Sequence, residues 1–131
     1  MTTETAAGVR RRGRVALIDL VGDVNAAAAD NLDHAWAEAT ADGPDAVVLN
    51  FAGTGYINST GIALIVGLLA KARAGGLPIR AFGLSPHYRE IFEITRLADF
   101  LAITGDEDSA VGAAPRDADS AMGTTGGTSY G

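Results

Sequence analysis

The stretch from residue 55 to residue 69 reads GYINSTGIALIVGLL, and it sets Asn58, Ser59 and Thr60 directly against an apolar run. A helix start leaves backbone N–H groups without partners, and an Asn, Ser or Thr oxygen accepts from them. The plain reading is therefore a capped helix, with Asn58 or Ser59 as the N-cap. One cap needs one side chain, however, and three small polar residues stand in succession. The second reading is that the junction presents a hydroxyl at an exposed helix start. A phosphoryl group placed there would meet free N–H groups and the positive end of the helix dipole. It would also bring about two negative charges to the surface. Such a hydroxyl would serve as a switch.

Elements extend from this junction in both directions. Upstream, DAVVLNFAG (45–53) is a short apolar run bounded by turn residues, as a buried parallel strand is. The helix STGIALIVGLLAKARAGG (59–76) is apolar on most sides and ends at Gly75 or Gly76, which predicts that it is the most buried of the helices. Before these, RVALIDLVGDV (14–24) reads as a strand. AAAADNLDHAWAEATADGP (26–44) then places Leu32, Trp36 and Ala39 on one helical face, with a Gly43-Pro44 stop. After the junction helix come a strand in LPIRAFGL (77–84) and a helix opened by Ser85 and Pro86. A short strand near FLAIT (100–104) closes the body. Strands separated by helices of this length imply an α/β fold with parallel crossovers. The start of the junction helix then lies at the carboxyl edge of the VVLNF strand, where α/β sheets meet ligands and partners.

Composition narrows the function. The 131 residues suffice for one domain, and 47% hydrophobic content is that of a globular chain. There is no cysteine, so disulfides and thiolate metal sites are excluded, and no other metal-ligand spacing appears. The first residues, MTTETAAGVRRRGR, lack the apolar core of a signal peptide, and the longest apolar run is too short to span a bilayer. A cytoplasmic protein with no membrane contact is expected. Net charge is −6, and no Lys or Arg occurs between Val15 and Ala70, where seven acidic residues from Asp19 to Asp45 stand. Nucleic-acid binders carry basic stripes, so direct nucleic-acid binding is not expected. An acidic body suits either plain solvation or steering toward a basic protein partner.

The ends differ from the middle. From Gly105 on, the chain is rich in Gly, Ser, Thr and Asp with almost nothing to bury. Residues 1–8 read as a disordered arm, although GVR (8–10) could extend into an edge strand. An enzyme would need a base for its nucleophile. His34 and His87 are the only histidines, and neither sits in a motif that ties it to Ser59. No nucleophile elbow or phosphate-cradling glycine loop appears, so no catalytic residue, cofactor or metal is assigned.

VVLNFAGTGYINSTGIALIVGLLAKARAGG, followed by FGLSPHYREIFEITRLADFLAI, resembles the STAS domain of bacterial anti-sigma-factor antagonists, and ALIDLVGDVNAAAADNLDHAW is similar to the start of that domain. The resemblance spans about 9–111 and leaves 112–131 as a disordered tail. Its most specific part is a strand, a polar turn of the form D-S-[ST]-G, and an apolar helix. It implies a single domain with a four- to five-stranded mixed sheet flanked by helices. It also implies binding rather than catalysis. The unmodified antagonist binds an anti-sigma factor, often a serine kinase, and frees the sigma factor; phosphorylation of one serine ends the binding. That serine corresponds to Ser59, with Thr60 and Gly61 after it.

Two positions depart from the family pattern. Asn58 stands where Asp usually precedes the phosphorylated serine, and Asn25, in GDVN, replaces the Asp of G-E-L-D. A carboxylate beside the hydroxyl can orient it, take its proton or hold a kinase's Mg²⁺, whereas an amide keeps the hydrogen bonds without the charge. Asp23 would point to the other side of its strand and is not counted as a substitute. The expected partner surface is thus Asn25, Asn58, Ser59, Thr60 and Gly61, with Ser59 as phospho-acceptor. The rival reading is a STAS scaffold or constitutive binding module that is never phosphorylated. A small-ligand sensor is a third reading, for which no buried polar residue in the sequence speaks.

Overall fold

The computed structural model describes residues 6–112. Five strands form one sheet in the order of the chain: β1 (Ala6–Arg12), β2 (Val15–Val24), β3 (Ala46–Ile57), β4 (Ile79–Phe82) and β5 (Ala102–Ile103). β1 runs antiparallel to β2, and every later pair is parallel. The sheet is therefore mixed, as expected. Among the described residues no helix is long and apolar enough to cross a membrane.

Three helices fill the crossovers: α1 (Ala29–Thr40, preceded by a one-turn 3₁₀ segment at Ala26–Ala28), α2 (Ser59–Ala74) and α3 (Pro86–Ile94). Each crossover moves to the next strand in the same direction, and right-handed crossovers of that kind place all their helices on one face. The main core confirms it. Ile18, Val47, Leu49 and Ala81 from the sheet pack with Leu32 and Trp36 of α1, Ile65 and Leu68 of α2, and Phe92 of α3. The opposite face is covered, among the described residues, by α4 (Glu107–Gly112), whose Ala110 joins Leu17, Val48 and Phe82 in a smaller cluster.

Three expectations are corrected. β1 begins at Ala6, so residues 6–8 belong to the sheet rather than to an arm; Ala7 and Val9 turn toward the main core. The VVLNF strand does not stop at Gly53 but runs to Ile57, because β2 and β3 continue as a two-strand ribbon past the end of β4. The chain after Gly105 is not featureless, since α4 occupies 107–112 and buries Ala110; residues 113–131 of the expected tail lie outside the described residues. α2, expected to be the most buried of the helices, has five buried residues against four in α1 and two in α3, and it leaves Ala63, Val66, Gly67 and Ala70 exposed.

The C-terminus of α2 follows the glycine expectation in detail. Gly75 is the C-cap, and Gly76 takes φ +65° and donates to Arg73 O while Leu77 N reaches Ala72 O at 2.8 Å. That pair of bonds is a Schellman closure, and its left-handed position selects glycine.

Candidate functional site

Val24 and Ile57 are partners at the far ends of β2 and β3, so the residues that follow them, Asn25 and Asn58, are neighbours. Each asparagine caps a helical segment. Asn58 is extended (φ −87°, ψ −178°), and its Oδ1 accepts from Gly61 N at 2.8 Å while its carbonyl accepts from Ile62 N at 2.9 Å. Asn25 does the same for the 3₁₀ turn, with Oδ1 accepting from Ala27 N at 2.9 Å. The peptide N–H of Asn58 donates to Val24 O at 3.2 Å and binds the two ends together.

Gly61 is what lets α2 start this close to β2. A Cβ at that position would lie 2.1 Å from Val24 O, so any side chain would collide with backbone. The other side of the junction is held by α3. Ile57 N donates to the Tyr88 hydroxyl at 2.8 Å, and Tyr88 is placed by the Ser85 cap, whose Oγ accepts from Tyr88 N at 3.3 Å. Asp23 lies on the ribbon, where its Oδ1 accepts from Tyr56 N at 2.8 Å.

With Asn58 as the cap, Ser59 and Thr60 open the first turn of α2, and both are exposed. Asn25 and Asn58 are half-buried and Gly61 is buried. The structure thus brings the five expected residues to one place, with the two hydroxyls outermost. The first turn of α2 carries no acidic side chain, so the positive end of the helix dipole is not offset by a local carboxylate. Ser59, Ala63, Val66 and Ala70 recur at helical spacing, so one exposed and uncharged stripe runs down α2 from the Ser59 hydroxyl. Val66 is 43% exposed, and just before the junction Tyr56 is 66% exposed.

His34 and His87 lie on α1 and α3, and both are exposed. Among the described residues neither hydrogen-bonds Ser59, and no group of three or more His, Asp or Glu is arranged to hold a metal ion. Sequence reasoning missed Tyr88 and the exposed Tyr56, and it set Asp23 aside without seeing that its carboxylate meets Tyr56 N. The Ser85-Pro86 signal located α3, but nothing local announces that a tyrosine hydroxyl will meet a strand end 31 residues away.

A five-stranded mixed sheet of this connectivity, with a polar helix start at its carboxyl edge, is the arrangement of a STAS-type domain. Residues 7–104 match the family model described as "Mlab, STAS domain", and the chain belongs to the STAS domain family. Comparison with curated protein sequences gives no match. Among solved structures, the chain is similar to an anti-sigma factor antagonist from Mycobacterium paratuberculosis (20% identity, TM-score 0.72, covering 87% of this chain and 96% of that one). It is also similar to the Bacillus cell fate determinant SpoIIAA in its phosphorylated form (20% identity, TM-score 0.63, 81% and 96% covered). A third similar structure is the putative antagonist from Thermotoga maritima (14% identity, TM-score 0.71, 80% and 91% covered). At these identities the likeness is one of fold.

Proposed function

We propose that this protein is an anti-sigma-factor antagonist that works in the cytoplasm by regulated binding. It binds an anti-sigma factor of the serine-kinase type, frees a sigma factor, and is switched off by phosphorylation of Ser59. The observation that carries this reading is the placement of Ser59. It is exposed at the first turn of α2, at the head of a stripe of small and apolar residues that a protein partner can cover. A phosphoryl group there would be held by the helix start and would put charge against that stripe. The test is incubation with candidate anti-sigma kinases, ATP and Mg²⁺, followed by intact mass and site mapping. One phosphoryl group on Ser59, absent in Ser59→Ala, is the expected result. A kinase that modifies its other antagonists but leaves this chain unmodified would overturn the switch.

A second reading has its own support. Asn58 and Asn25 both spend their side-chain oxygens on helix caps, and neither brings a carboxylate to Ser59. A binding module that is never phosphorylated needs only this rigid surface. In that case the unmodified chain binds its partner constitutively, as part of a larger assembly, and Ser59→Asp leaves the kinase question moot while still weakening the contact.

A further inference from the structure

The chain continues past the residues matched by the family model into α4, and charge dominates the attachment of that helix. A six-residue helix does not stand alone, because nucleation is costly and there are few hydrogen bonds to offset it. Its apolar anchors are also small. Ala110 is fully buried and Val111 is partly buried, which is little against the entropy of ordering the segment.

The rest of the attachment is electrostatic. Glu107 accepts from Arg10 Nη2 at 2.8 Å and from Arg10 Nη1 at 3.2 Å, and it also accepts from Arg12 Nη1 at 2.9 Å. Asp108 takes the same Arg12 nitrogen at 2.9 Å. Asp19 of β2 orients Arg10 from behind, with Nη2 donating to its Oδ1 at 2.9 Å. At the other end of α4, the buried Arg80 of β4 donates to Ala110 O at 2.8 Å. The N-terminal edge strand and the last described helix are thus clasped through two shared arginines. A network of this kind does more than isolated surface pairs, and it is weakened by salt.

We propose that α4 is an ionic strap: a detachable cover on the second face of the sheet, closed by Glu107 and Asp108 on Arg10 and Arg12. Its release bares Leu17, Val48 and Phe82 on three adjacent strands, with Arg80 beside them. Because the three crossover helices all pack on the other face, α4 is, among the described residues, the helix whose side chains join this cluster. Opening this face leaves the α2 start untouched, so the domain keeps its Ser59 surface while a second, apolar one becomes available.

Hydrogen exchange on the full chain at neutral pH, read by mass spectrometry at about 0.05 M and about 1 M NaCl, tests the strap. The expected result is that amides of 108–112 exchange about tenfold faster or more at high salt, while those of α2 do not change. An environment-sensitive apolar dye should bind in parallel. Glu107→Gln should produce the same acceleration at low salt. If the 108–112 amides ignore salt and are unchanged in Glu107→Gln, apolar packing holds α4 and the proposal fails. If α2 accelerates equally, the opening is global and the strap is likewise excluded.

Discussion

Asn58 N donates to Val24 O, and the same carbonyl is the atom that a Cβ on Gly61 would strike, at 2.1 Å. One carbonyl therefore both ties down the helix start and forbids any side chain three residues later. Gly61→Ala should force α2 away from β2 and cost about 2–3 kcal/mol, as overpacking against a fixed backbone does. Chemical denaturation measures it. A loss below half a kilocalorie would mean that the helix start shifts freely.

Asn58 offers a pair of substitutions with opposite signs. Asn58→Ala removes the acceptor for Gly61 N and should cost about 1 kcal/mol. Asn58→Asp keeps the acceptor and adds a negative charge at the positive end of α2, which should stabilise by about 0.3–1 kcal/mol at low salt. If Ser59 is a kinase substrate, Asn58→Asp should also be labelled faster, since the carboxylate can orient the hydroxyl or hold Mg²⁺.

Tyr88→Phe isolates one hydrogen bond. The ring stays in the core, but Ile57 N loses its buried acceptor at the end of β3. A cost of about 1–3 kcal/mol is expected from the unsatisfied N–H. Amide exchange at Ile57 should rise more than at Leu49, which sits in the regular part of β3.

Val66 separates binding from folding. It is exposed on the stripe that begins at Ser59, so Val66→Glu should leave the melting temperature within a degree or two, yet weaken a partner's affinity by about 1–3 kcal/mol. Titration calorimetry against the cognate partner reads the second effect. Unchanged affinity would place the interface elsewhere.

The charge network predicts an acid limb in stability. Hydrogen bonding from Arg10, reinforced by Asn50, holds the Asp19 carboxyl below the usual carboxylate range, and Arg10 and Arg12 hold Glu107 below it too. A depressed folded value means that the contribution is present above the unfolded value of ~3.9 for Asp and ~4.3 for Glu. It is lost as pH falls through the folded values. Urea titrations from neutral pH downward should therefore show stability falling below about pH 4, with a shallower fall in Asp19→Asn. Equal slopes in the two proteins would remove Asp19 from the account.

Some of this was written locally. The strand-helix alternation, the Ser85 cap, the Gly75-Gly76 closure and the start of α2 depend on residue types within a few positions, so the sequence announces them. The junction of Asn58, Ser59 and Thr60 was legible for the same reason, and the cap proved to be Asn58, leaving Ser59 free of that duty. The length of β3 was not legible. Its end, GTGY, has turn composition, but pairing with the tail of β2 holds it extended. The exposed side of α2 was not legible either, because its run of aliphatic residues and glycine gives no periodicity from which such a side can be read.

The sequence by itself determined one α/β domain with a hydroxyl at the head of its second helix, and its resemblance to a known family added the STAS type. Cap chemistry, glycine stops and apolar periodicity act between neighbours and need no partner at a distance. Only the tertiary structure decided that Asn25 stands beside Asn58, that Tyr88 closes the end of β3, and that arginines of the first strand hold the last helix. Those relations join residues about 30 to 97 positions apart. The first two exist because parallel pairing brings distant strand and helix ends to one edge, and the third because α4 packs on the face that the crossover helices leave free, beside the antiparallel first strand; no local pattern records either.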